Sequence, residues 1–184
     1  DYAPAGGGSP QSYGSTPAAP EAYGTAAVRG LSDSQSAALR VNEIQNSLGQ
    51  LLAAYPATSY SLTNETPDKL RVTLAESMLS TDGFAVSPNG QNLLRNIAAV
   101  LRSKSSAEVL VIGHTDSSNP NALRAYEDSS DKAINIAQQL INFGMSPRKI
   151  TAGGKGFYDP VTNGITQRDL ASNRRMEILI SVME

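Results

Sequence analysis

Two residue periodicities alternate along this chain, and their order restricts the folds open to it. Leu70, Val72 and Leu74 alternate with Arg71 and Thr73, the spacing of a strand with one buried face. Leu93, Leu94, Ile97, Val100 and Leu101 then recur at helical spacing up to about Ser103, with Ser87 as cap and Pro88 at the first helical position. Val109, Leu110, Val111 and Ile112 form a short aliphatic run that ends at Gly113 and reads as a central strand buried on both faces. A second helix is expected from about Ser129 to Phe143, with Ala133, Ile136, Ala137, Leu140 and Ile141 inward and Gly144 as its stop. Ile150 to Ala152 reads as a short strand. Met176, Ile178, Ile180 and Val182, alternating with Glu177, Leu179 and Ser181, read as the last strand. Between these elements the sequence predicts a polar turn at Thr63 to Asp68, a loop at Ser80 to Val86, and a polar loop before the last strand. The order βαβαβ with a closing strand predicts an α/β sandwich, its helices packed on a small mixed sheet.

Two segments precede this pattern. Residues 1–33 are dominated by Gly, Pro, Ala, Ser and Thr, with Tyr2, Tyr13 and Tyr23 the main bulky side chains, so they cannot bury enough surface to offset their ordering entropy. They are expected to form a disordered tether. From Ser34 to Tyr55, Val41, Ile44, Leu48, Leu51 and Tyr55 recur at steps of three and four and predict one amphipathic helix, with Asp33 and Ser34 as caps and Pro56 as its end. Its stripe is expected to pack on this domain or on a neighbouring subunit. The organisation is therefore a tether at 1–33, a helix at 34–56 and a domain at 57–184.

Composition excludes several classes of function. A net charge of -2 over 184 residues, with the basic residues dispersed, gives no footprint for nucleic acid. No run reaches the roughly 20 apolar residues needed to span a bilayer. The chain opens on Asp1 rather than Met, which leaves room upstream for an export signal or a lipid anchor. With no cysteine and one histidine, neither a thiolate nor a nitrogen-rich metal site can form, and no metal or cofactor is expected. His114 reads as a loop histidine bonded to backbone. The Gly153-Gly154-Lys155-Gly156 stretch lacks the spacing and the Ser or Thr of a phosphate loop and reads as a tight turn between strands. No nucleophile is joined to a base, so an enzyme is not expected.

Three stretches in one order carry a family resemblance. Val109 to Asp116 is a strand ending in Gly-His-Thr-Asp, Gly153 to Pro160 is a glycine turn followed by proline, and Asn173 to Ile178 reads NRRMEI. Ser87-Pro88-Asn89-Gly90 and Gly144 are lesser matches. Together they make residues 68–182 resemble the OmpA-like peptidoglycan-binding family, the type found in OmpA C-terminal domains, MotB and Pal. The resemblance implies a periplasmic domain that grips the stem peptide of peptidoglycan at diaminopimelate. In that family an aspartate in the Gly-His-Thr-Asp position takes the ligand ammonium and an arginine in the following helix takes its carboxylate. Asp116 fills the first position. Lys132 stands where the arginine is expected, one residue later than the usual spacing, and keeps the charge without the planar fork. Thr115, Arg174 and Arg175 complete the candidate site, although strand alternation sends the two arginines to opposite faces, so only one can line a given pocket.

The implied role is non-covalent attachment of an envelope protein or complex to the cell wall, from a periplasmic position tethered to the outer membrane. The competing role is a structural subunit of a trans-envelope secretion or motor complex, contacting protein partners through residues 34–56 or the tether and retaining the fold with a degenerate pocket.

Overall fold

The computed structural model describes residues 31–81, 83–104 and 106–183. The segment read as a tether lies, through residue 30, outside the described residues. The first helix, α1, runs Asp33–Leu52. Its cap is Ser32, not Asp33 or Ser34: the Ser32 side chain accepts from the Gln35 backbone N–H while the Gln35 side chain accepts from the Ser32 N–H, a reciprocal box that satisfies two otherwise unpaired donors.

Five strands follow, β1 (Tyr60–Thr66), β2 (Lys69–Ala75), β3 (Ala107–His114), β4 (Ile150–Gly154) and β5 (Arg175–Val182), in the sheet order β1-β2-β5-β3-β4. All neighbours are antiparallel except β3 and β4, which run parallel. That parallel pair needs a long crossover, and the 21-residue helix α4 (Ala122–Asn142) supplies it. A short helix α2 (Glu76–Leu79) and helix α3 (Pro88–Arg102) link β2 to β3, and α5 (Gln167–Asn173) precedes β5.

One core holds the layers together. Val72 pairs with Ile178, Leu74 with Met176, Val109 with Ile180 and Val111 with Ile178, all buried on the face that meets the helices. Val41, Ile44, Leu48 and Leu52 of α1 enter the same core as Leu93, Leu94 and Ile97 of α3 and Ile136 and Leu140 of α4. Each such side chain contributes on the order of 1.5–3 kcal/mol. The α1 stripe is thus consumed within its own domain. Among the described residues no helix is long and apolar enough to cross a membrane.

The structure corrects further sequence expectations, among them the polar loop before the last strand, which holds α5. β3 is not buried on both faces along its length: Glu108 and Leu110 point outward, with Leu110 36% exposed, because the core helices cover a single face of the sheet, and on the outer face only its end at His114 is buried. β1 occupies most of the expected polar turn; as a largely exposed edge strand it carries almost no apolar signal. The helix expected from Ser129 starts a full two turns earlier, at Ala122, where the Asn121 side chain accepts from the Arg124 N–H and Arg124 pairs with Asp128 along the helix. Ser129 is therefore a fully buried residue inside the helix rather than its start. Finally, Gly153 and Gly154 belong to β4 itself, and only the residues after them turn.

Two glycines let α4 lie against the sheet. A Cβ on Gly113 would fall 2.0 Å from the Ser129 carbonyl oxygen, and one on Gly154 would fall 2.2 Å from the Ser129 hydroxyl. The Ser129 hydroxyl donates to the Tyr126 carbonyl and accepts from the Gly156 N–H at 2.9 Å, which ties the turn after β4 to the helix.

Candidate functional site

The strand ends of β2, β3 and β5 come together beside the middle of α4, and each delivers a charged side chain. Register accounts for this. Ala75 pairs with Arg175 and His114 with Arg175, so the residues just outside these pairs, Glu76, Asp116 and Arg174, share one end of the sheet. The Glu76 backbone N–H donates to the Arg174 carbonyl at 3.1 Å, which fixes that alignment.

Asp116 accepts from the Ser118 N–H at 2.8 Å and pairs with the Arg174 guanidinium. Burial opposes its ionisation, but the Ser118 hydrogen bonds and Arg174 outweigh burial and hold the carboxyl below its ordinary range. Arg174 Nε also lies 3.4 Å from Glu76 Oε2, and Glu76 Oε1 accepts from Lys132 Nζ at 2.5 Å. The result is an alternating chain of charge, Asp116, Arg174, Glu76, Lys132. The Lys132 ammonium also sits 5.4 Å from the centre of the Phe84 ring. Glu76, Ser80, Thr81, Phe84, Lys132 and Arg174 line a cleft of about 440 Å³.

Lys132 reaches this cleft although it stands one residue later than the family spacing. It lies three residues after Ser129 and four before Ile136, beside the buried stripe of α4. Three of the candidate residues do not line the cleft: Asp116 stands behind it, joined to it through Arg174, and Thr115 and Arg175 lie away from it. The Thr115 hydroxyl is buried without a hydrogen-bond partner, while the Thr115 N–H donates to the Gly156 carbonyl. Arg175 points to the other face, where it donates to Glu177 Oε1 at 2.8 Å and to the Asp159 carbonyl at 2.9 Å. The alternation expected for the two arginines is what separates them.

Arg175 belongs to a second, enclosed cluster. Glu177, 2% exposed, also accepts from Arg71 at 2.9 Å, and His114 Nε2 lies 3.5 Å from Glu177 Oε1. Burial would raise the Glu177 carboxyl, but His114 and Arg175 lower it from 4.5 to about 2. His114 is therefore not a loop histidine held by backbone; it ends β3, faces Glu177 and is 1% exposed. Asn173 completes the NRRMEI stretch by clamping the preceding loop: its side-chain Oδ1 accepts from the Val161 and Thr162 N–H groups and its side-chain Nδ2 donates to the Thr162 carbonyl.

Glu76 is a charged cleft residue that the sequence reading missed. It follows an alternating strand directly and matches no motif. The available signal was its place one residue beyond Ala75, at the end of β2, where an acid has little reason to follow an apolar strand unless a cation meets it.

Fold and cleft define a two-layer α/β domain with a mixed-charge cleft at the end of its sheet. Its sequence settles the lineage: residues 80–174 match the OmpA family, and the chain belongs to that family. It is 35% identical over 96 residues to outer membrane porin F of Pseudomonas fluorescens, covering 52% of this chain and 29% of that protein. It is 27% identical over 100 residues to the peptidoglycan-binding protein ArfA of Mycobacterium tuberculosis, covering 54% of this chain and 30% of that protein. The chain spans 29% to 54% of the length of the first three curated relatives it matches. Among solved structures, the cell wall anchor of the T6SS from Pseudomonas aeruginosa superimposes with a TM-score of 0.63 at 29% identity, covering 74% of this chain and 97% of that one.

Proposed function

We propose that this domain binds peptidoglycan non-covalently, through the diaminopimelate end of the stem peptide, and so anchors an envelope protein or complex to the cell wall. The observation that carries the reading is the chain of alternating charge Asp116, Arg174, Glu76 and Lys132, of which the last three line one cleft and Asp116 joins it through Arg174. A zwitterion bears an ammonium and a carboxylate close together, and such a cleft offers each a partner, whereas a simple cation or anion meets repulsion from half of it. Asp116 takes the ammonium. Lys132, with Arg174 beside it, takes the carboxylate. The relatives support the same ligand, since one is named for peptidoglycan binding and another is a cell wall anchor.

This is a binding module and not an enzyme, acting in the periplasm with attachment to the outer membrane. Any protein partner in an envelope complex meets a surface other than the α1 stripe, because Val41, Ile44, Leu48 and Leu52 are buried in the domain's own core. Co-sedimentation of the purified chain with isolated sacculi tests the function. Wild type should pellet and Asp116→Ala should remain in the supernatant; equal behaviour of the two removes the cleft as the binding site.

A further inference from the structure

We propose that Glu76 is a resident counter-ion that occupies the carboxylate seat of the cleft, so that a bound ligand must displace it. The identity of the ligand rests on the wall-binding reading; the seat itself does not. Glu76 holds one oxygen 2.5 Å from Lys132 Nζ and the other 3.4 Å from Arg174 Nε, which is how a ligand carboxylate would bridge the same two cations. Glu76 and Lys132 side chains are only 16% and 12% exposed, so the pair is weakly screened. A second carboxylate brought against Lys132 meets the Glu76 charge first, and two carboxylates sharing one site repel. Glu76 must therefore swing away for a ligand carboxylate to enter.

The seat also has a geometric cause. The Glu76 N–H is fixed on the Arg174 carbonyl, and Lys132 lies beside the buried stripe of α4, so the carboxylate is delivered between the two cations by the β2 and β5 register and the helix together. The exchange makes the cleft selective. A ligand with a carboxylate alone gains Lys132 and Arg174 but leaves the displaced Glu76 without a cation, whereas a zwitterion brings an ammonium that Glu76 or Asp116 can accept.

The test compares wild type, Glu76→Gln and Glu76→Asp, titrated with meso-diaminopimelate and with glutarate, a dicarboxylate without an ammonium, while side-chain nitrogen resonances of Lys132 and Arg174 are followed. Glu76→Gln should bind diaminopimelate about tenfold more tightly than wild type and should gain saturable glutarate binding. Glu76→Asp withdraws the carboxylate by one methylene and keeps the charge, so it guards against a folding defect and should show a smaller gain. Equal or weaker binding by both variants overturns the proposal. Sacculus sedimentation separates the two readings: if no protein pellets yet Glu76→Gln gains glutarate, the seat stands and the wall ligand falls. If wild type and Glu76→Gln pellet alike and neither takes glutarate, the wall ligand stands and the seat falls.

Discussion

Lys132 and Glu76, 56 positions apart in the chain, meet at 2.5 Å across the cleft between α4 and the end of β2. Removing either partner leaves the other's charge half-desolvated. Lys132→Ala should therefore lower stability by on the order of 1–3 kcal/mol, read as a drop in the urea midpoint, and should also weaken diaminopimelate binding. Lys132→Arg keeps the charge and adds parallel donors, so it should tighten that binding by as much as about tenfold. Identical affinity in all three proteins would make Lys132 a structural residue only.

Gly113→Ala is expected to be among the most damaging single substitutions. The added methyl would lie 2.0 Å from the Ser129 carbonyl oxygen, and backbone on both sides leaves nothing soft to move. A loss of about 3 kcal/mol or more in chemical denaturation is expected.

Leu48→Ala tests whether α1 is part of the domain. Leu48 is fully buried in the shared core, and its truncation should cost about 2–5 kcal/mol. A thermal midpoint unchanged from wild type would detach α1 from the fold.

Acid should unfold the domain in a defined window. The Glu177 carboxyl titrates at about 2 in the folded chain against 4.5 ordinarily, so between those values the unfolded chain binds a proton that the folded chain refuses. The stabilisation is present above about 4.5 and is lost as pH falls toward 2. Asp116, also lowered, acts in the same direction. Urea titrations at successive pH values check this, and Glu177→Gln should be less stable at neutral pH but show a shallower acid slope.

Asn173→Ala removes three hydrogen bonds to the loop at Val161 and Thr162. Amide exchange in residues 159–166 should accelerate, with global stability reduced by about 1–3 kcal/mol.

Legibility in the sequence followed burial. α3 and β5 were readable because a single apolar face repeats through each, and the expected helix cap at Ser87 and Pro88 is the observed one. β1 and α5 were not, since an exposed edge strand and a polar helix whose one buried residue is Asn173 carry no apolar period. The start of α4 was hidden for a related reason. Ala125 and Ser129 are small, so the stripe that packs on Gly113 and Gly154 lacks the bulk by which a helix face is recognised.

By itself the sequence determined the α/β class and the family, and it named Asp116, Lys132, Thr115 and both Arg174 and Arg175 as candidates for a site. Periodicity and short motifs are local and can be read along the chain alone. Only the tertiary structure decided that Arg174 rather than Arg175 faces the cleft, that Arg175 and His114 instead enclose Glu177, and that Glu76 stands between Arg174 and Lys132. Those outcomes depend on strand register and on which face the helices cover, and both are fixed by pairings between residues far apart in the chain.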